Sequence, residues 1–189
     1  MPLTAVWAAA NLRPRVAPEP EQPEEAPTMS DAPTARPGSP RITHLDDHEW
    51  QEVRRQQHGP DADRTASVYE KWLDVAGGYL SLYARWDPGM MVQPHGHNSD
   101  HVVFVLEGSM TCGEVECVPG THIALDRGDD FGPFTAGPEG VVLFEVMMGD
   151  PRSFPARQDE WHALLEERDV RLLPNPPVVI PGGLADTRN

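Results

Sequence analysis

Positive charge is scarce in this chain, which has 15 Lys and Arg against 30 Asp and Glu over 189 residues and a net charge of -15. Nucleic acids and anionic membrane surfaces are bound through basic patches, and none occurs in the sequence, so neither is an expected partner. No run approaches the ~20 apolar residues of a membrane span. Residues 1–12 lack the basic start and the long apolar core of a signal peptide. These absences predict a soluble, cytoplasmic protein.

Cysteine is equally sparse, since the chain has only Cys112 and Cys117. Two cysteines are too few for a disulfide framework. A zinc site built on this Cys-x4-Cys pair would need two more ligands, and none lies near in the sequence. We therefore expect two free, half-buried thiols, as is usual in the cytosol.

Proline and glycine, by contrast, are abundant, with 21 and 16 residues, which favours turns and strands over long helices. Residues 1–40 hold nine of the prolines together with many Glu and Ala residues, so we expect a disordered tail. Residues 41–65 are predicted to form a helical or irregular extension. Its short helix would cover residues 46–57, with acidic residues in the first turn.

The stretch 66–149 is rich in predicted strands. Residues 68–75 and 79–86 flank a Gly-Gly pair and predict a hairpin. Further short strands follow, separated by turn signals, at residues 90–97, 102–106, 109–112, 115–118, 122–125, 132–135 and 141–148. This pattern indicates an all-β antiparallel sandwich or barrel. Residues 150–189 are predicted to add a helix, at 158–170, and an extended tail.

Three of the eight histidines fall within seven residues. Side chains at i and i+2 leave the same face of a strand, so His95 and His97 are predicted to point the same way. His101 follows a turn-prone Asn-Ser-Asp triplet and precedes an apolar run, residues 102–106, that is typical of a buried strand. Neutral imidazoles that converge from neighbouring strands can hold a divalent metal ion.

The segment around these histidines resembles the first motif of the cupin superfamily. That motif is Gly, five residues, His-x-His, three or four residues, Glu, six residues and Gly. The matching positions in this chain are Gly89, His95, His97 and Gly108. His101 stands where the family has Glu. The resemblance implies an all-β double-stranded β-helix, the cupin jelly roll.

The second cupin motif is only partly matched. It consists of Gly, five residues, Pro-x-Gly, two residues, His, three residues and Asn. Gly120 and Gly128 fit this pattern. Asp126 replaces the proline, and Phe131 replaces the metal-binding histidine. The first motif alone would then supply the metal ligands.

The resemblance implies that His95, His97 and His101 bind one divalent metal ion. Three neutral ligands leave the full charge of the ion and open coordination positions, which is typical of a catalytic rather than a structural site. Fe(II) is favoured because an open three-histidine site suits oxygen chemistry, and Zn, Ni, Mn and Cu are the alternatives. The expected function is a metal-dependent cupin enzyme that acts on a small organic molecule, with oxygenase-type chemistry.

Other functions stay open at this point. A cupin lyase or isomerase would use the same ion as a Lewis acid. A non-catalytic ligand-binding or sensor cupin is favoured by the loss of the second-motif histidine, and a metal-free jelly roll would have a structural role. Many cupins dimerise by exchanging N-terminal strands, so the resemblance also implies a homodimer in which residues 68–75 cross to the partner.

Further residues are candidates for the pocket. Glu145 alternates with two apolar neighbours and, if it faces inward, would act as an acid/base or as a fourth ligand. Gln93 lies two residues before the first histidine and would contact the ligand or substrate, or else lie at the barrel mouth. His122, Phe131 and Phe104 would line the pocket if their side chains face inward. Otherwise His122 is a surface residue and the phenylalanines belong to an ordinary core.

Overall fold

The computed structural model describes residues 40–61, 64–76 and 78–179. The predicted disordered tail, residues 1–40, lies outside these ranges apart from Pro40. The described strands and helix all belong to the unit that begins at Ile42. Their bounds are β1 Gln51–His58, β2 Thr65–Ala76, β3 Tyr79–Trp86, β4 Met91–Val92, β5 His95–Cys112, β6 Val115–Cys117, β7 His122–Leu125, β8 Asp130–Phe131, β9 Phe134–Pro155, α1 Gln158–Glu167 and β10 Val170–Leu172.

The strands form one antiparallel sheet that curves around an apolar interior. Its order is β10-β1-β2-β3-β9-β5-β6, with β4 paired to β9 and with β7 and β8 paired to β5. The residues of β3 show how an inner face arises, because buried side chains alternate with more exposed ones. The buried positions are Leu80, Leu82, Ala84 and Trp86. The predicted all-β jelly roll is confirmed.

The predicted hairpin is present as β2 and β3, in which Val68 lies opposite Trp86. The predicted strand at residues 141–148 lies inside the longer β9, which pairs with β3 on one edge and with β5 on the other. β2 is paired on both edges within the same chain, by β1 and β3. The homodimer formed by exchange of residues 68–75 stays a prediction.

The predicted helix at residues 46–57 is wrong beyond its first turn. A single 3-10 turn, Leu45–Asp47, is capped by the side chain of His44, and the chain then enters β1. Gln51–His58 has one aliphatic residue, Val53, so its sequence favours neither helical nor strand periodicity. Hydrogen bonds to β2 on one edge and to β10 on the other decide its conformation.

The sheet also takes in segments from both predicted extensions. β9 continues past residue 149 to Pro155 and pairs its last residues with the start of β5. β1 and β10, from the two ends of the described chain, pair with each other. The end of β9 therefore lies next to the histidine motif, although the sequence predicts only a helix and an extended tail for residues 150–189.

The helix α1 confirms the predicted C-terminal helix, although it ends slightly earlier, at Glu167. Its apolar face buries Trp161 and Leu165, which pack with Met91 and Val170 in a small second core. No helix among the described residues is long and apolar enough to cross a membrane.

The outer face of β2 and β3 is covered by the segment that precedes β1. The ring of Trp50 lies 5.9 Å from that of Tyr83. The cationic groups of Lys71 and Arg85 lie 5.2 and 5.1 Å from the centroid of the Trp50 ring. Lys71 also donates a hydrogen bond to the carbonyl of Leu45. These contacts hold the N-terminal segment against the sheet and so help to place β1, which contributes to the cavity.

Both cysteines are free thiols, as predicted, with Cys112 half-buried and Cys117 buried. Burial raises the pKa of each thiol. Both are therefore protonated near neutral pH, which is the unreactive form of a structural cysteine.

Candidate functional site

The barrel encloses a cavity of about 720 Å³, within the size range of small-molecule sites. Most of its wall is apolar or aromatic, and its polar lining residues include two of the three motif histidines. The lining residues on which the argument depends are Arg54, Trp86, His95, His97, Phe131, Phe134 and Glu145.

The three histidines of the first motif lie together. The ring centroids of His95 and His97 are 5.1 Å apart, and those of His97 and His101 are 4.5 Å apart. His95 and His97 both border the cavity, as strand alternation predicts. His101 is 2% exposed and lies between Leu125 and Met147 in the sheet. Their role as metal ligands stays a prediction.

Each imidazole donates one ring N–H to an oxygen atom. Nδ1 of His95 donates to the backbone carbonyl of Gln93 at 2.8 Å. Nδ1 of His97 donates to the backbone carbonyl of Pro151 at 3.0 Å. Nε2 of His101 donates to Oε2 of Glu145 at 3.1 Å. Because carbonyl and carboxylate oxygens only accept, the ring nitrogen in each of these bonds carries the proton.

Two of the remaining ring nitrogens are buried without a partner. Nε2 of His97 and Nδ1 of His101 have no hydrogen-bond partner in the part of the chain that the structure describes. A buried polar atom left in this state costs about 1–3 kcal/mol. A metal ion is a suitable partner, since metal-binding histidines usually donate their other N–H to a carbonyl or a carboxylate. These two nitrogens are therefore candidate ligands, although the side chains are not arranged around one ion.

Two of the histidines are neutral near pH 7. Burial, followed by the neighbouring imidazole of His97, lowers the pKa of His95 to about 3. Burial, followed by the neighbouring imidazole of His101, lowers the pKa of His97 to about 4. Neutral imidazole is the form that binds a metal, so no proton has to leave these two rings first.

Glu145 faces the barrel interior, as the alternation of its strand predicts. It lies between Leu82 and Val103 in the sheet, and both of these residues are 2% exposed. The Glu145 side chain is 12% exposed and borders the cavity. From this position the Glu145 carboxylate can accept the hydrogen bond from His101 and also contact a molecule bound in the cavity.

Arg54 brings positive charge to the same cavity, and sequence reasoning missed it. It lies on β1 and lines the cavity wall. Its charge is one of the smaller causes that lower the pKa of His95 and of His97. Arg152, also at the wall, forms an ion pair with Asp150. No local signal could have identified Arg54, because β1 lacks an alternating apolar pattern and its place depends on long-range pairing.

Close packing requires a glycine between His95 and His97. A Cβ atom at Gly96 would meet the backbone carbonyl of Asp129 and the ring of Phe154. β5 pairs at this point with both β8 and the end of β9. A side chain at this position would therefore push the histidine pair away from the strands that support it.

Phe131 occupies the place that the cupin pattern gives to a fourth ligand. Its ring centroid lies 4.9, 5.4 and 6.3 Å from those of His95, His101 and His97. The ring lines the cavity, as predicted for an inward-facing side chain. It has no lone pair to offer a cation, and it makes the wall beside the histidines apolar.

Two predicted pocket residues face outward instead. Phe104 and His122 lie opposite each other on β5 and β7. Phe104 is 36% exposed, and His122 is exposed as well. The predicted pocket role of both residues is wrong, because Val103 and Val105 take the inward positions of this part of β5.

Gln93 borders a second, smaller cleft beside α1 rather than the main cavity. Residues 93 and 94 lie between β4 and β5, so strand alternation does not carry this side chain to the face that bears His95. The contribution of Gln93 is its backbone carbonyl, which accepts the N–H of His95. A role of its side chain at the site stays a prediction.

The three rings do not surround a common point. Within residues 40–61, 64–76 and 78–179, no group of three or more His, Cys, Asp or Glu side chains is arranged to hold an ion. The rings of His95 and His97 meet at 73°, and those of His97 and His101 at 75°. Ligation of one ion would require rotation of the imidazoles about their side-chain torsions.

No protein-family model matches this chain, and no curated protein matches it. Several solved structures do. A candidate acetylacetone dioxygenase from Methylibium petroleiphilum is similar over 64% of this chain and 83% of its own, with 13% identity and a TM-score of 0.50. The polyketide cyclase RemF from Streptomyces resistomycificus is similar over 69% of this chain and 97% of its own, with 22% identity and a TM-score of 0.49. An RmlC-like cupin from Shewanella frigidimarina is similar over 65% of this chain and 96% of its own, with 17% identity and a TM-score of 0.45.

At 13% identity the likeness to the candidate dioxygenase, whose TM-score is 0.50, is one of fold, and a shared fold carries little about the reaction. It agrees with the antiparallel sheet described above. The chain has the all-β jelly-roll fold of the cupins.

Proposed function

We propose that the protein is a metal-dependent enzyme that acts on a small organic molecule inside the barrel, with one divalent ion held by His95, His97 and His101. The observation that carries this proposal is the hydrogen bonding of the three rings. Each ring gives one N–H to an oxygen acceptor, and two of the remaining nitrogens are buried without a partner. This is the protonation pattern of a set of metal ligands.

The ligand types narrow the choice of metal. Imidazole suits Fe(II), Zn, Ni and Cu, and Mn is the further alternative. Fe(II) is favoured because three neutral ligands leave positions open for oxygen and a substrate. The ion would supply Lewis-acid or oxygen-activation chemistry at the polar end of the cavity.

The protein side chains supply the rest of the site. Glu145 holds the proton of His101 Nε2 and, from the cavity wall, acts as the acid or base for a substrate proton. The guanidinium of Arg54 offsets negative charge on a bound molecule. Phe131 and the apolar wall exclude water, which strengthens both electrostatic interactions.

A second candidate is a non-catalytic ligand-binding or sensor cupin. The phenyl ring of Phe131 at the fourth-ligand position favours it, and so does an apolar cavity of about 720 Å³ that can hold a ligand without any metal. A cupin lyase or isomerase would use the same residues as the oxygenase, without consuming oxygen.

Anaerobic loading with Fe(II), followed by oxygen-electrode measurements, tests the proposal. The substrates are a panel of enolisable diketones and catechols, with acetylacetone included because one structural neighbour is named for it. We expect oxygen uptake that matches substrate loss and that disappears in the double variant His95→Ala/His97→Ala, whose folding is checked by circular dichroism. Substrate loss without oxygen uptake would support the lyase or isomerase. Saturable ligand binding with no turnover would support the sensor and overturn the enzyme proposal.

A further inference from the structure

A β-bulge in β1 turns the side chain of Arg54 toward the cavity. Glu52 pairs with Tyr69 on β2, and the next pair is Arg54 with Val68, so Val53 is an extra residue in β1. Regular alternation would send the consecutive residues Val53 and Arg54 to opposite faces of the sheet. Both line the cavity instead. Bulges next to active sites often redirect a side chain in this way.

The surroundings of Arg54 agree with an inward orientation. Its partner Val68 is 3% exposed and lines the cavity, whereas the next residue of β1, Arg55, is exposed. The charge of Arg54 contributes to the lowered pKa of both His95 and His97. Arg54 also takes part in an interaction within the chain, but a guanidinium has five N–H donors, so a protein partner leaves donors for a ligand.

The charges of the wall set a limit on the charge of a ligand. The described lining residues include three carboxylates and two guanidinium groups, which belong to Glu70, Glu145, Asp150, Arg54 and Arg152. When all are ionised they carry one net negative charge. One divalent ion would change this to one net positive charge, and a single ligand carboxylate would then neutralise the cavity. A dianion such as a phosphate ester would leave uncompensated charge beside apolar side chains, at a large cost in free energy.

The uncharged part of the wall indicates the body of the ligand. Several aromatic side chains line the cavity, namely Trp72, Trp86, Phe131 and Phe134. Aromatic rings pack well against other rings, stacked or edge-on. A guanidinium in turn matches the two oxygens of a carboxylate with two parallel hydrogen bonds. Together these groups favour a ring-bearing molecule with one carboxylate.

We infer that Arg54 is a specificity-determining residue that binds the carboxylate of a ring-bearing monocarboxylic acid inside the cavity. That this acid is the substrate rests on the proposed function, but its binding to Arg54 does not. An analogue in which a neutral amide replaces the carboxylate loses the charge-assisted hydrogen bonds to the guanidinium, so it should bind more weakly.

Calorimetric titration with benzoate and benzamide near neutral pH tests the inference. The two compounds have nearly the same shape, and only benzoate carries a charge. We expect the preference for benzoate, as a ratio of Kd values, to fall about tenfold in Arg54→Gln, which is the worth of one hydrogen bond to a charged group. Arg54→Lys keeps the charge but not the paired donors, so it should retain part of the preference.

Arg55→Gln is the matched control. It removes the same charge from the next residue of β1, whose guanidinium donates to Glu52. Arg55 borders the smaller cleft beside α1 but not the main cavity, so the ratio should stay at the wild-type value. A carboxylate can also bind a metal ion directly. The full-length protein is therefore titrated both after chelator treatment, which isolates the effect of Arg54, and after metal loading, which should tighten the binding of benzoate.

Three results would overturn the inference. One is the same preference in wild type and in Arg54→Gln, with folding checked by circular dichroism. The second is an equal loss in Arg55→Gln, which would place benzoate in the smaller cleft that Arg54 also borders. The third is failure of both compounds to bind. None of them concerns the metal content of the protein, which is measured separately, so failure of this inference and failure of the proposed function are distinguishable.

Discussion

The two ends of the cavity are built in different ways. The histidine end consists of three imidazoles from one short stretch of β5 and the carboxylate of Glu145, and every ring N–H there has an oxygen acceptor. The aromatic end consists of Trp86, Phe134 and their apolar neighbours, and its one polar hydrogen has no acceptor in the described chain. The ring N–H groups at the first end have acceptors within the chain, whereas the indole N–H at the second end has none among the described residues.

This difference separates two tasks. Fixed tautomers prepare nitrogen lone pairs for a cation, so the histidine end would determine which metal binds and how tightly. The aromatic end offers apolar contact area, so it would help to determine which organic molecule binds. Substitutions that damage one end while sparing the other test whether the tasks are separate.

The largest effect is expected from Phe134→Ala at the aromatic end. Phe134 is 2% exposed and contacts Trp86, His95 and Phe131. Loss of a buried phenyl ring costs 3–5 kcal/mol, and because this ring borders an existing cavity we expect the lower limit, about 3 kcal/mol, in urea unfolding. Metal content should remain at the wild-type level. Loss of metal from the folded variant would show that the two ends are coupled.

Gly96→Ala should disturb the histidine end. The added methyl group would meet the carbonyl of Asp129 and the ring of Phe154, so we expect a loss of about 1–3 kcal/mol in stability, together with weaker metal binding. Gly78→Ala is the matched control, because nothing lies within 4 Å of a Cβ atom there, and it should change stability by less than about 0.5 kcal/mol. Equal stabilities of the two variants would contradict this packing argument.

Glu145→Gln should weaken metal binding without unfolding the protein. The amide oxygen can still accept the N–H of His101, but the negative charge that makes the imidazole a stronger ligand is gone, so chelator competition should show about tenfold lower affinity. Glu107→Gln removes the same charge from an exposed position on β5 and should leave the affinity unchanged. If both variants bind metal equally well, Glu145 does not support the site.

His122→Ala should have the smallest effect. His122 is exposed on the outer side of β7, so its loss should change metal affinity by less than about twofold and stability by less than about 0.5 kcal/mol. A large drop in metal content would place this histidine in the site, against the orientation described here.

The sequence predicted the parts of the molecule that depend on local spacing. His95 and His97 share a face because they are two residues apart in a strand, and alternation also places Glu145 inward. The β2–β3 hairpin follows from two strand-like runs around a Gly-Gly pair. In each case the signal lies within one short, continuous segment, where backbone geometry limits the outcomes.

Features that depend on long-range pairing could not be predicted in this way. β1 has a sequence without periodicity and becomes a strand because two partners pair with it, so Arg54 was missed along with it. The break in the strand before His95, where Gln93 lies, was missed as well. Phe104 and His122 lie on regular strands, but which face of those strands turns inward depends on the neighbours across the sheet.

Elemental analysis of the purified, metal-loaded protein tests the central claim most directly. The account predicts about one divalent ion per chain in the wild type, and almost none in a folded His95→Ala/His97→Ala variant treated in the same way. A wild-type protein that retains no metal under any loading condition would contradict the account. So would a double variant that retains the same metal content as the wild type.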